Sequence, residues 1–257
     1  MATPKLTHDN GAEGESFISH LVELRSRVVK SALAIVAAFV CLAPFASHIY
    51  DFLAMPMLNA LPQGTKMIAT GVITPFLVPI KVTLLVAFIL ALPVVLYQMW
   101  AFVAPGLYAH ETKLALPIIS SSFILFLVGV GFCYYFVFGT VFRVINEFAP
   151  KSVTVAPDID SYFGFVMSMF IAFGITFEVP IVVVVLVRFG IISLLTLKSI
   201  RPYVIVGSFV VAAIITPPDP GSMLLLAVPL VLLYEVGIFV ARFVRVSKRR
   251  EEGVASG

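Results

Sequence analysis

YFGFVMSMFIAFGITFEVPIVVVVLV, residues 162–187, runs for 26 residues with a single charge, Glu178. A helix needs only about 20 apolar residues to cross a hydrocarbon core of about 30 Å, so this stretch reads as a membrane span. The composition of the chain agrees: 60% of its 257 residues are hydrophobic and 12% charged. A soluble domain carries roughly 45–50% apolar and about 25% charged residues. Lipid is the solvent this chain requires, and a segment in lipid must satisfy its own backbone polar groups, which makes runs of this length helical.

Working outward, five more apolar runs appear near residues 29–46, 76–97, 116–138, 203–215 and 223–240. Six crossings place both termini on one face. Lys5, Arg25, Arg27, Lys30, Lys113, Arg188, Lys198, Arg201, Arg242, Arg245, Lys248, Arg249 and Arg250 fall on that terminal face, and Lys66, Lys81, Arg143 and Lys151 on the other. Because basic connections stay in the cytoplasm, the asymmetry predicts an N-in, C-in topology. The expected fold is an all-α integral membrane protein: a polar tail over 1–15, a six-helix domain over 16–245, and a basic, then disordered, tail over 246–257.

Local patterns refine the picture. From Ser16 onward, Phe17, Leu21, Leu24 and Val28 recur on one helical face while His20, Glu23, Arg27 and Lys30 take the other, predicting an amphipathic interfacial helix that feeds the first span. That first run follows too many acidic residues, Glu13, Glu15 and Glu23, to be a cleaved signal. Among the opposite-face connections, 47–75 and 143–161 are long, whereas 216–222 is a tight Thr-Pro-Pro-Asp-Pro-Gly-Ser turn. The fifth and sixth spans are expected to be short. As a helix, about fifteen residues between Arg201 and Pro217 reach only about 22 Å, which would strain or thin the bilayer around them.

Several functions are excluded. Cys41 and Cys133 lie inside apolar runs and His8, His20, His48 and His110 are scattered, so neither a disulfide framework nor a metal site is expected. No His-Glu-x-x-His, Gly-x-Ser-x-Gly or phosphate-binding loop occurs, and neither catalysis nor a cofactor is expected. The basic residues gather at helix ends rather than on one face, which argues for topology and against nucleic acid.

What remains are carboxylates. Glu23 reads locally as an i,i+4 partner of Arg27, worth about 0.2–0.5 kcal/mol, and Glu111 as a charge near a helix N-terminus. Together on one face of the membrane they form a receptor for guanidinium groups, which pair bidentately with carboxylate. Glu178, near mid-span, costs at least about 2.5–3.5 kcal/mol to bury as a charge and must face a cavity, a partner or a proton, with Thr176 or Gln98 as partners to consider. Glu235 lies closer to an interface and reads as structural.

From Ser16 to Arg245 the chain resembles the TatC family. The resemblance rests on His20-Leu-Val-Glu-Leu-Arg25, Pro56, Thr74-Pro-Phe76, Trp100-Ala-Phe-Val-Ala-Pro-Gly-Leu-Tyr108 with Glu111, Phe177-Glu-Val-Pro180, Arg201-Pro-Tyr203 and Thr216-Pro-Pro-Asp219. It implies a glove-shaped bundle in a bacterial cytoplasmic membrane that binds Arg-Arg signal peptides of folded cargo. TatA and TatB would be partners, the receptor would self-associate, and the proton-motive force would supply energy. By position, Glu23 and Glu111 match the carboxylates that recognise the twin arginines, and Arg25 and Phe102 line the same site. Glu178 matches an intramembrane glutamate of the concave face. Pro56, Phe76 and Asp219 match opposite-face positions tied to function or assembly. Two departures stand out: Ser26 where many relatives are basic, and Met223 where many carry Gln and would make a polar partner contact. The competing reading is a proton- or ion-coupled small-molecule transporter using Glu178, for which internal repeats and a second buried charge are missing.

Overall fold

The computed structural model describes residues 10–61, 66–103, 115–148, 156–216 and 220–243. Their elements are helical: α1 (Asn10–Leu42), α2 (Ala46–Ala60), α3 (Thr74–Val103), α4 (Ala115–Phe132), α5 (Phe138–Phe148), α6 (Ile159–Arg188), α7 (Leu194–Ser199), α8 (Arg201–Ile215) and α9 (Pro220–Ala241). The end of the bundle where α1 begins and α9 finishes is called the terminal end below, and the opposite one the far end.

Among the described residues, five helical stretches are long and apolar enough to cross a membrane: 20–59, 74–102, 116–143, 159–188 and 220–241. The apolar α8, at 15 residues, is shorter than these and stands where the fifth span was expected. The expected shortness of the fifth span is therefore visible in α8. The sixth differs from expectation: α9 has 22 residues, about 33 Å of helix, because Pro220 opens it three residues earlier than the apolar run does.

Three other boundaries move. The helix starts at Asn10 rather than Ser16 and passes into the first span without a break. The long connection after the first span is mostly helix: a 3-10 turn over Ala43–Phe45 links α1 to α2. The third span continues past residue 138 through a π-helical turn, Cys133–Val137, into α5, which packs on α2.

The amphipathic entry of α1 is turned the other way round from a helix in water. Leu21, Leu24 and Val28 point outward and are exposed, while Glu23 and Arg27 lean inward, half-buried, against α3. In a bilayer the outward face meets hydrocarbon, so apolar residues belong there and polar ones are sheltered between helices.

The central element is α6, which packs antiparallel against α4 on one side and parallel to α9 on the other. Small residues bring these helices together. A Cβ at Gly129 would lie 2.7 Å from the Phe173 carbonyl oxygen, and one at Gly237 would lie 2.9 Å from Pro180 Cα. Such close approach maximises dispersion contact where no hydrophobic effect drives association. The main core lies toward the far end, where Leu53 and Met57 of α2, Val78 and Val82 of α3, Phe138 and Phe142 of α5, and Tyr162 and Phe163 of α6 interlock.

At the far end the two long connections meet. Ile68 N–H donates to the Pro157 carbonyl and Ile159 N–H to the Ile68 carbonyl, forming a single parallel bridge. Asp158 stitches it: one carboxylate oxygen accepts from the Thr70 N–H and hydroxyl, and the other caps α6 through the Ser161 N–H. These donors, the Ser161 and Thr70 amides foremost, hold the Asp158 carboxyl down to about 2. Next to it, Lys81 pairs with Asp160 at 2.8 Å.

Candidate functional site

At the terminal end, α1 and α3 cross with their polar residues in register. Arg27 donates through Nε (2.9 Å) and Nη2 (2.6 Å) to Glu23 Oε1, and through Nη1 to Gln98 Oε1 at 3.3 Å. Two helical turns earlier in α1, the His20 ring stacks on Phe102 with centroids 4.3 Å apart. The local i,i+4 pairing expected of Glu23 is thus real, and it is also one corner of an interhelical cluster. Both bonds from Arg27 use Oε1, so among the described residues the second carboxylate oxygen of Glu23 is left to another donor. Arg25 points away, exposed on the same turn. The structure brings Glu23, Arg25 and Phe102 to one end of the α1–α3 pair; Glu111 lies outside the described residues. His20, Arg27 and Gln98 join the site without having been singled out as site residues. Their signal was the spacing of His20, Glu23 and Arg27 on one face of α1.

Glu178 sits ten residues from the end of α6, about 15 Å along the helix axis from Arg188. It is half-buried, and Gln98 is not its partner, being committed to Arg27. Instead the Ser122 hydroxyl of α4 faces its carboxyl, one turn from where Phe126 packs against Gly174. Neither Glu178 Oε1 nor Ser122 Oγ reaches hydrogen-bond geometry with a protein group. A carboxyl inside an apolar span is costly as a bare charge and calls for a polar partner.

Glu235, read from the sequence as structural, meets Arg201 at 2.6 Å and ties the start of α8 to α9. Tyr234 adds a second tie, its hydroxyl donating to the Leu197 carbonyl of α7 at 2.8 Å.

At the far end, Pro56 lies inside α2. Lacking an N–H, it leaves the Phe52 carbonyl one turn back without its helical donor. The Tyr134 hydroxyl, from the π-helical turn, donates to that carbonyl at 2.8 Å. One residue on, Tyr162 of α6 donates to the Leu53 carbonyl at 2.8 Å. Phe76 is exposed on the first turn of α3, Met223 is half-buried against the main core, and Asp219 lies outside the described residues. The tyrosines and Asp158 were not singled out in the sequence; a proline in the middle of a helical run was the clue that a donor must come from elsewhere.

The chain is similar to known proteins along most of its length. A family model described as "TatC: Sec-independent protein translocase protein (TatC)" matches residues 19–229. The Sec-independent protein translocase protein TatC of Escherichia coli (strain K12) is 47% identical over 239 residues, 93% of this chain and 93% of that protein. The protein of the same name from Haemophilus influenzae is 47% identical over 234 residues, 91% of each chain. A crystal structure described as the twin arginine translocase receptor TatC is 38% identical, with a TM-score of 0.76 over 87% of this chain and 98% of that one. These relatives give no support to the small-molecule transporter reading.

Proposed function

This chain belongs to the TatC family of Sec-independent protein translocase proteins, and from that premise we propose that it is a receptor that captures Arg-Arg signal peptides of folded cargo at its terminal end. Family membership makes it a multi-pass membrane component of the twin-arginine translocase and not an enzyme. The finer assignments are our reading: both termini in the cytoplasm of a bacterial cell, TatA and TatB homologues and further copies of the receptor as partners, and the proton-motive force as the energy source.

The observation that carries this reading is the Glu23–Arg27–Gln98 cluster. A guanidinium already lies on Glu23 Oε1, so the site demonstrates within the chain the chemistry a signal-peptide arginine would use. Planar guanidinium and carboxylate pair through two parallel N–H donors, which an ammonium cannot reproduce, so Arg-Arg is favoured over Lys-Lys. Phe102, braced by His20, offers an aromatic face on which a second guanidinium can stack. Glu111, from the connection that follows α3, would supply the second carboxylate, with Arg25 tuning the local charge.

Once held there, a peptide's apolar segment has only helix surface between the site and Glu178. A carboxyl about 15 Å inside the terminal end of α6 is a place where a proton or a polar group of a partner would be taken up. Six helices cannot enclose a passage for folded cargo, so the partners must provide it. Pro56, Phe76, Asp219 and Met223 would serve at the far end in function or partner contact.

The test is photocrosslinking from positions 102 and 111 to purified signal peptides in membranes. Crosslinks to Arg-Arg but not Lys-Lys peptides are expected, and equal crosslinking would undo the guanidinium account. Glu178→Gln should leave these crosslinks intact and slow export; undiminished export would make Glu178 structural.

A further inference from the structure

Between α4, α6 and α9, at the terminal end, runs an apolar groove of about 900 Å³. Its walls are side chains such as Leu125, Val128, Phe177, Val184 and Val236, and Arg188 stands at its mouth as the last residue of α6. Arg242 lies exposed just past the end of α9, beside the Phe243 that closes the rim. We propose that this groove is a binding site for one anionic phospholipid of the terminal-face leaflet, its acyl chains along the apolar wall and its phosphate at Arg188.

Three features fit that occupant. From Phe177 to Arg188 the wall covers eleven residues of α6, about 16 Å, which is close to half of a hydrocarbon core of about 30 Å and so to the depth of one leaflet. The polarity runs as a lipid's does, apolar from mid-membrane outward and cationic at the headgroup level. Basic pockets between membrane helices on the cytoplasmic side select anionic headgroups. Here this last argument rests on the proposed cytoplasmic placement of the terminal end.

The charge also separates this groove from the receptor site. An Arg-Arg peptide would be repelled by the exposed Arg242 at this rim, whereas Glu23 would attract it. An uncharged partner helix would fill the wall but gain nothing from Arg188.

The experiment uses the purified full chain, titrated with phosphatidylglycerol or phosphatidylethanolamine of identical chains and read by native mass spectrometry. Wild type should retain phosphatidylglycerol about fivefold better. Arg188→Gln should abolish that preference, Arg188→Lys should keep it, and Arg143→Gln at the far end should not alter it. Val184→Trp, which fills the groove, should lower retention of both lipids. Equal retention by wild type, or a preference that survives Arg188→Gln, would overturn the proposal. So would groove filling that spares lipid and blocks a partner helix instead. None of these readouts involves signal-peptide binding, so the receptor site could fail its test while this one stands.

Discussion

Tyr134 donates its hydroxyl to the Phe52 carbonyl, the group that Pro56 leaves without a helical donor. The proline-bearing α2 and the π-helical turn in the third span are therefore two halves of one contact. Tyr134→Phe should cost about 0.5–1.5 kcal/mol, the net worth of one intramolecular hydrogen bond. Pro56→Ala restores an N–H in the helix and makes the tyrosine dispensable. In that background the same substitution should cost less than half as much, a coupling measurable by thermal unfolding of the four proteins in detergent.

The Glu23–Arg27 pair is half-exposed, and pairs of this kind contribute at most about 1 kcal/mol. Arg27→Gln should free the carboxylate and tighten Arg-Arg peptide binding by up to about fivefold, read by fluorescence titration. A fall of similar size would instead assign Arg27 to orienting Glu23 for the peptide.

At the far end the pH dependence follows from Asp158. Its carboxyl is ordinarily near 3.8 and is held at about 2 in the folded protein. A depressed value means that the bridge's contribution is complete above about 3.8 and is lost as pH falls toward 2. Pepsin cleavage of the connections around Ile68 and Pro157 should accelerate across that window, and Asp158→Asn should remove the dependence.

Helix approach gives a fourth test. Gly129→Ala places a methyl 2.7 Å from the Phe173 carbonyl oxygen and 2.9 Å from the Phe177 ring, so α4 and α6 must separate. A loss of about 1–3 kcal/mol is expected from such overpacking. Gly139→Ala, with open space at that position, should be neutral or slightly stabilising in the same melt.

How far the sequence reveals these features depends on whether their causes are local. Spans show because hydrocarbon demands about 20 apolar residues in a row, and the shortness of α8 shows because Arg201 and Pro217 bracket it. The direction in which α1 presents its faces does not show, since periodicity locates two faces without saying which one meets lipid. Helix α2 was hidden for a different reason: with the far-end core beneath it, a modestly apolar stretch becomes a helix through packing rather than propensity. Glu23 and Glu178 were legible as costly charges. Their neighbours Gln98 and Ser122 were not identified as such, because each belongs to a helix brought alongside only by the fold.

The Arg201–Glu235 pair joins the first residue of α8 to a point six residues before the end of α9. During synthesis, α8 emerges first with its arginine, and α9 follows with a carboxylate inside its apolar run. Neither is a comfortable passenger in hydrocarbon alone, the one too short and the other carrying a bare charge. Only when both have left the ribosome can the charges neutralise each other. Side by side as one hairpin, the two helices supply each other's countercharge and sit in the bilayer at lower cost than either would alone.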